Sequence, residues 1–308
     1  MPPAGTPAQE AAETTRAVEK ATLDNGKLAP NVSADSTDAQ SVTFELGEGE
    51  ERATARVAVP QDSGRPVSVG LGEETVKFSL PAPPGLAGIT QNGTTVYPSN
   101  SSANSAVQAM EDASVRALIT LKNAQAPREY RFNLEVPLGT QLVKNDDGGY
   151  DITAPHDEDS SAVSLGAIDA PWAKDANGQA VPTSYRLEGT TLVQLIEITE
   201  DTVYPVVADP RVSFGRGVYI KFSRSETNAI APYSSGAGAV AAACNKIPSR
   251  VRGVPVRTIC RGTLGQASVS VHNTFKSAAR QGKCVQIRLP YAPVLITIGW
   301  PEWKAVGC

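Results

Sequence analysis

The stretch Tyr130-Arg-Phe-Asn-Leu-Glu-Val136 alternates apolar and polar side chains at every position. Successive side chains of a β-strand point to opposite faces of the sheet, so this period of two predicts a strand with one buried face and one face in water. The runs that we interpret as strands in this part of the chain are residues 41–46, 53–59, 67–71, 75–80, 115–121, 130–136, 141–143, 150–152, 184–188 and 191–198.

Turn sequences separate these runs, namely Asn92-Gly93, Asp147-Gly148-Gly149, Asn177-Gly178 and Glu188-Gly189. Asn-Gly and Asp-Gly favour tight hairpins, because these residues tolerate positive φ. No strong long helix interrupts the series, so we expect antiparallel strands in a sandwich. The expected fold class is mainly β with a small α+β domain: an antiparallel β-sandwich followed by a disulfide-stapled basic α+β module.

The charges divide the 308 residues into two parts of opposite sign. Residues 211–308 contain 14 Lys and Arg against two acids, Glu226 and Glu302, a net charge of +12. Residues 1–210 contain 14 basic and 30 acidic residues, a net charge of −16. Such asymmetry predicts separate modules with separate partners. Residues 1–39 contain few large apolar side chains, which predicts disorder. We therefore expect a disordered leader (1–39), an acidic β-sandwich domain (40–210) and a basic Cys-containing α+β module (211–308).

All four cysteines lie in the last 65 residues, and an even number confined to one small module is typical of a disulfide framework. Zinc ligands usually occur as close pairs, whereas the gaps between these cysteines are 16, 24 and 24 positions. Free buried thiols are the other alternative. Three pairings are possible; we favour Cys244–Cys260 and Cys284–Cys308, because they close short local loops.

Disulfides predict an exported protein, either secreted or associated with the cell wall. The chain as it stands begins without the basic and apolar segments of a signal peptide, so we expect that such a segment has been removed. No apolar run approaches the ~18 residues that a membrane-spanning helix needs.

The basic module contains both helix and strand signals. Ser223 and Glu226 have the spacing of a capping box, which marks the start of a helix. Apolar residues recur at helical spacing between residues 263 and 281, and Gly282 is a typical helix terminator. The expected elements are strands at 216–223, 284–289 and 294–300, helices at 226–230, 236–244 and 263–281, and a basic loop or irregular hairpin at 246–261.

Five short motifs follow one another along the β-rich part of the chain. They are Asn92-Gly-Thr-Thr-Val-Tyr-Pro98, Asp147-Gly-Gly-Tyr-Asp-Ile152, Ala170-Pro-Trp172, Tyr185-Arg-Leu-Glu188 and Tyr204-Pro-Val-Val-Ala-Asp-Pro210. Over roughly residues 65–212 this order resembles a β-rich module of secreted proteins from high-GC Gram-positive bacteria, of the type associated with rearrangement-hotspot proteins. Lys221-Phe-Ser-Arg-Ser-Glu226 and Arg280-Gln-Gly-Lys-Cys284 are similar to pieces of the small uncharacterised C-terminal modules of such proteins. The resemblance implies no assigned activity and no catalytic residues.

The clustered basic side chains are the best-supported candidate for a binding site, because arginine and lysine bind phosphate and other anions. The predicted anion-binding residues are Lys246, Arg250, Arg252, Arg257, Arg261, Lys276, Arg280 and Lys283. His272 is predicted to share a polar helix stripe with the last three. As an alternative, His272 and Glu226 are candidates for a nuclease-like catalytic site, because a histidine base needs an orienting carboxylate.

We expect a secreted, non-enzymatic scaffold whose cationic module binds an anionic cell-envelope or membrane surface. The acidic half is expected to face solvent or to fold back onto the basic half. The alternative is a carrier domain with a C-terminal toxin, either nuclease-like or membrane-active like a bacteriocin. No cofactor, metal or sequence-specific nucleic-acid partner is expected, since no motif for one is recognised.

Overall fold

The computed structural model describes residues 6–23, 26–29, 33–35, 39–46, 53–71, 74–99, 102–155, 160–249, 251, 256–290 and 301–308. The described residues are mainly in β-strands, which pair antiparallel, with five helices among them. The predicted fold class, mainly β with two disulfides in the C-terminal region, is therefore confirmed.

The described helices are α1 (Pro7–Thr22), α2 (Arg224–Ile230), α3 (Gly236–Lys246), α4 (Val256–Leu264) and α5 (Ser268–Arg280). The described strands are β1 (Ser33–Asp35), β2 (Ala39–Leu46), β3 (Ala53–Pro60), β4 (Val67–Leu71), β5 (Glu74–Phe78), β6 (Ile89–Gln91), β7 (Thr94–Tyr97), β8 (Ala103–Ala109), β9 (Ser114–Leu121), β10 (Glu129–Glu135), β11 (Gln141–Lys144), β12 (Tyr150–Thr153), β13 (Ala162–Ile168), β14 (Ala173–Lys174), β15 (Thr183–Glu188), β16 (Thr191–Ile196), β17 (Val206–Ala208), β18 (Arg211–Phe222), β19 (Cys284–Pro290) and β20 (Glu302–Val306).

Two antiparallel sheets form the β part of the molecule. The first has the strand order β1-β2-β3-β4-β5-β10-β16-β15, and the second contains the path β11-β12-β13-β18-β9-β8-β7-β6. In the second sheet β17 pairs with β9 and β14, while β19 pairs with β18 and β20. The sheets pack face to face where β3 meets β8 and β4 meets β18. The hydrophobic core includes Phe78 and Phe132 from the first sheet and Ile119 and Phe214 from the second.

Strand β18 begins at the predicted boundary between the acidic and basic parts. Its first residues pair with β9, for example Val212 with Val115, and its last residues pair with β19, for example Val218 with Leu289. Along most of its length its other edge pairs with β13. The change of charge near residue 210 therefore lies inside a continuous sheet and does not separate one sheet from another.

Helices α2 to α5 cover one face of the β18–β19–β20 region. Phe222 of β18 meets Phe275 of α5 edge to face, with ring centroids 5.2 Å apart. The capping box predicted at the start of α2 is present, since Ser223 Oγ accepts from the Glu226 N–H and the Glu226 carboxylate accepts from the Ser223 N–H. The prediction of a capping box is thus confirmed.

The predicted disordered leader is wrong for the part that the structure describes. Helix α1 begins with a capping box between Thr6 and Gln9 and packs on the second sheet. Its buried residues Ala11, Val18 and Ala21 lie in one cluster with side chains of β7, β8, β9 and β17. The contact face is made of small residues, so the low content of large apolar residues concealed a packed helix.

Two predictions about the helices of the basic part also need correction. The predicted basic loop over 246–261 ends in a helix, because α4 begins at Val256. The single helix predicted over 263–281 is two helices: α4 ends at Leu264, and α5 begins at Ser268 after the Ala267 cap. The strand predicted over 294–300 lies outside the described residues.

The packing of α1 gives a direct test on Val18, which is fully buried. We expect Val18→Ala to lower the free energy of unfolding by about 1.5–3 kcal/mol, from the lost apolar burial and the cavity that it leaves. Equilibrium urea unfolding of the full chain measures this change. The matched control is Glu13→Ala, an exposed position on the same helix. Equal stability of the two variants would contradict the docking of α1.

Candidate functional site: a cationic helical layer

The chain from Thr227 to Pro301 contains nine Lys and Arg residues and no Asp or Glu. Glu226 is accordingly the one acidic residue in the sequences of α2 to α5. We call these four helices the cationic helical layer. Basic residues therefore outnumber acidic ones strongly within the layer, which gives it a positive potential.

Helices α3 and α4 are joined by three links, two of which involve predicted basic residues. The Cys244–Cys260 disulfide connects the two helices. Next to it, Arg261 Nη2 donates to Asn245 Oδ1 over 2.6 Å. The Arg257 guanidinium donates to the carbonyl oxygen of Ile247, with Nη2 at 2.7 Å and Nε at 3.2 Å. Arg257 therefore satisfies a carbonyl at the end of α3, where a cation also complements the helix dipole.

The end of α5 carries the second group of predicted basic residues. Lys276 is half-buried and Arg280 is exposed; they are four residues apart and so lie on the same side of the helix. Gly282, with φ +63°, ends the helix as predicted, and exposed Lys283 follows it. Lys246 is exposed at the end of α3. The predicted sites Arg250 and Arg252 lie outside the described residues.

The predicted cysteine pairing is confirmed. The bonds are Cys244–Cys260 and Cys284–Cys308, and none of the described cysteines is free. The second bond joins the start of β19 to the residues after β20, next to the pairing of Cys284 with Val306. Both disulfides thus hold neighbouring elements of the basic part together.

The alternative catalytic pair, His272 and Glu226, is buried. His272 is 4% exposed, and its Nε2 lies 3.2 Å from the carbonyl oxygen of Ala231. Glu226 is 5% exposed, and its Oε2 accepts from Ser161 Oγ at 2.8 Å as well as from the Ser223 N–H. His272 is therefore not part of an exposed stripe with Lys276, Arg280 and Lys283. Both side chains hold elements together in the described structure.

A buried cluster of ionisable groups, which the sequence analysis did not identify, lies on the face of the second sheet that α1 covers, because Arg116 and Gln108 alternate with the core residues Val115 and Val107. Arg116 is 1% exposed and its Nη1 donates to Gln108 Oε1 over 2.9 Å. Arg211 donates to Asp112 Oδ2 over 2.6 Å and to Ser114 Oγ over 2.9 Å. The pKa of Arg116 is lowered to about 10, mainly because the side chain is buried and also because Arg211 is close, while the nearby aspartates act in the opposite direction.

Asp209, at the end of the motif Tyr204-Pro-Val-Val-Ala-Asp-Pro210, is fully buried beside this cluster. Its Oδ1 accepts from the backbone N–H of Trp172 at 3.1 Å, and its carbonyl oxygen accepts from the Tyr185 hydroxyl at 3.2 Å. Burial raises the pKa of Asp209 to about 8. Three of the motifs quoted above thus meet at Asp209. Because this group is enclosed, it has a structural role.

Within the described part of the chain, no group of three or more His, Cys, Asp or Glu side chains is placed to hold a metal ion. Among the same residues, no helix has the length and apolar character needed to cross a membrane.

Comparison with protein-family models, with curated proteins and with solved structures finds no significant match. The resemblance to secreted modules of high-GC Gram-positive bacteria therefore stays a prediction.

Removing the first disulfide tests its contribution to stability. We expect Cys244→Ala/Cys260→Ala to lower the free energy of unfolding by about 3 kcal/mol, since the bond closes a loop of 16 residues. Urea unfolding measures the loss, and thiol titration of the unreduced, denatured wild-type chain should find no free sulfhydryl. Four titratable thiols, or an unchanged unfolding midpoint in the variant, would contradict the bond.

The environment of Asp209 predicts a pH dependence of stability. Its pKa is about 8 in the folded protein and about 3.9 in an unfolded chain. Between these values the folded protein keeps a proton that the unfolded chain has lost, so this group lowers the free energy of unfolding as the pH rises. Asp209→Asn cannot titrate, and from pH 5 to pH 8 it should lose less stability than the wild type in urea unfolding. Asp201→Asn, at an exposed position, is the control and should follow the wild type.

Proposed function

We propose that the protein is an exported, non-enzymatic binding and scaffold protein whose cationic helical layer binds phosphate-rich surfaces of the cell envelope or membrane. The observation that carries the proposal is that the chain from Thr227 to Pro301 contains nine basic residues and no Asp or Glu. A phosphate surface offers the counter-charges that the layer itself lacks. The two disulfides support an extracellular location.

The end of α5 is the part of the layer best suited to make contact. Arg280 and Lys283 are exposed, and Lys276 is one helical turn before Arg280. By contrast, Arg257 and Arg261 already donate to acceptors of α3 and its C-terminal end. We therefore assign the first contact with the surface to Lys276, Arg280 and Lys283, and give the α3–α4 pair a supporting role.

The β-sheets serve in this proposal as the scaffold that presents the layer. Arg211 of the basic part pairs with Asp112 and lies 3.8 Å from Asp169, so some charges of the two parts meet inside the molecule. Masking of the basic surface by the acidic half stays a prediction. Because β18 belongs to the sheet of both parts, binding experiments should use the full chain.

The toxin alternative has less support from the geometry. A nuclease mechanism through His272 and Glu226 needs both groups to reach a substrate, whereas both are buried and hydrogen-bonded. RNA or DNA cleavage by the purified chain would overturn the non-enzymatic proposal. Leakage of dye from anionic vesicles would favour the membrane-active alternative.

Neutralising the end of α5 should weaken binding to anionic vesicles. We expect Lys276→Gln/Arg280→Gln/Lys283→Gln to bind phosphatidylglycerol-containing vesicles about 100-fold more weakly, at about 1 kcal/mol for each basic residue near an anionic surface. Co-sedimentation at 50 mM and 200 mM salt measures this. Wild-type binding should fall as salt increases, because the attraction is screened.

The matched control removes three cations from the acidic part and so has the same net charge as the test variant. These cations are Lys27, Arg65 and Lys77, each replaced by Gln. This control should keep nearly all of the binding. A parallel arm with soluble poly(glycerol phosphate) separates a wall polymer from a lipid surface. If neither probe binds, or if the two triple variants lose affinity equally, the proposal is wrong.

A further inference from the structure

One face of strands β11–β13 and β18–β20 forms a concave surface that we call the trough. Its volume is about 770 Å³, a size found in small-molecule binding sites. The turn after β11 reaches across to the end of the chain, where Asp146 Oδ2 accepts from the Gly307 N–H at 2.8 Å. Two distant strand ends of one sheet are thereby fixed to each other, and the trough has a defined width.

The strand register sets the polarity of this surface. On β18 and β19, Ile220 faces Ile287 across the ladder, and both are buried on the side of the core. The alternate residues point the other way, because the strand has a period of two. Lys221 pairs with Gln286 and Gln286 pairs with Lys304, so these three form one row across the trough.

The opposite wall of the trough, formed by β11 and β12, carries aspartates together with Lys144. Asp147 lies in the turn after β11, and Asp151 lies on β12. Lys221 and Lys304 act on Asp151 electrostatically, but among the described residues no ion pair within 4 Å joins either lysine to either aspartate. The positive and negative groups therefore face one space without neutralising each other by direct contact.

We propose that the trough binds a zwitterionic ligand of short-peptide size, with its ammonium group against Asp147 and Asp151 and its carboxylate against Lys221 and Lys304. A ligand with both charges satisfies both walls at once, whereas a purely anionic or cationic ligand meets repulsion from one wall. This site lies on the sheet and uses none of the α5 residues to which the surface binding is assigned.

The titration of Asp151 supports the assignment. Its pKa is raised to about 6, mainly by burial and also by Asp147, against the opposing effects of a hydrogen bond from Asn145 and of Lys221 and Lys304. Asp151 therefore becomes ionised between pH 5 and pH 7. Over this range a peptide ammonium stays charged, since its pKa is about 8. Peptide affinity should then increase with pH.

Isothermal titration of the full chain with three probes tests the site: tri-alanine, N-acetyl-tri-alanine and tri-alanine amide. Tri-alanine should bind. Each capped peptide should bind at least about tenfold more weakly, because a charged hydrogen-bonding group has been removed. Tri-alanine affinity should rise from pH 5 to pH 7.

Variants assign each end of the peptide to one wall. In Asp151→Asn, tri-alanine should bind less tightly relative to its N-acetyl form than it does in the wild type. The increase of tri-alanine affinity with pH should also become smaller. In Lys221→Gln/Lys304→Gln, by contrast, the affinity for tri-alanine relative to tri-alanine amide should become smaller. Glu129→Gln, an exposed position on β10 in the other sheet, is the control for a change of one charge. Comparing two probes within one variant separates a lost contact from a loss of folded protein.

Absence of tri-alanine binding at millimolar concentration would overturn the proposal, and so would equal affinity for all three probes. Loss of both preferences in both variants would also contradict the orientation of the ligand. The vesicle experiment is independent of these outcomes, because the α5 triple variant should bind tri-alanine like the wild type.

Discussion

The hydrogen bonds of strand β18 hold the two differently charged parts of the chain in one sheet. Val212 pairs with Val115 at one end, and Val218 pairs with Leu289 towards the other. Val212, Phe214, Val218, Ile220 and Phe222 are all buried, so β18 also contributes heavily to the core. A strand that is paired on both edges and buried in this way cannot be divided between independently folding units. The change of charge near residue 210 is therefore a change of surface chemistry within one sheet.

The two faces of β18 and β19 have different chemistry, and this difference separates the two proposed sites. On one face, Phe222 packs against Phe275 of α5 and supports the cationic helical layer. On the other face, Tyr219 pairs with Arg288, whose guanidinium carbon lies 5.9 Å from the centre of the tyrosine ring. One ladder thus fixes both the position of the helices and the spacing of the charges in the trough. Side chains on either face can change without altering the backbone hydrogen bonds, which lets the two surfaces serve different ligands.

The sequence predicted the features that depend on interactions between residues close in the chain. Strand β10 alternates exposed and buried residues along its whole length, as its period of two indicated. Asn92 and Gly93, at φ +49° and +76°, make the hairpin turn that their residue types favour. The Ser223–Glu226 cap and the pairing of cysteines close in sequence also depend on short-range geometry. Of the candidate site residues, those near the end of α5 could be placed in advance on one side of a helix.

The sequence did not predict contacts between segments that are far apart in the chain. Strand β7 is buried at every position, because α1 covers the face that would otherwise be in water, and its alternation is lost. The buried side of α1 consists of Ala, Thr, one Val and Glu10, a composition typical of disordered segments. His272 is buried because α2 packs against α5. The helical period describes each helix alone and does not indicate which helices pack together.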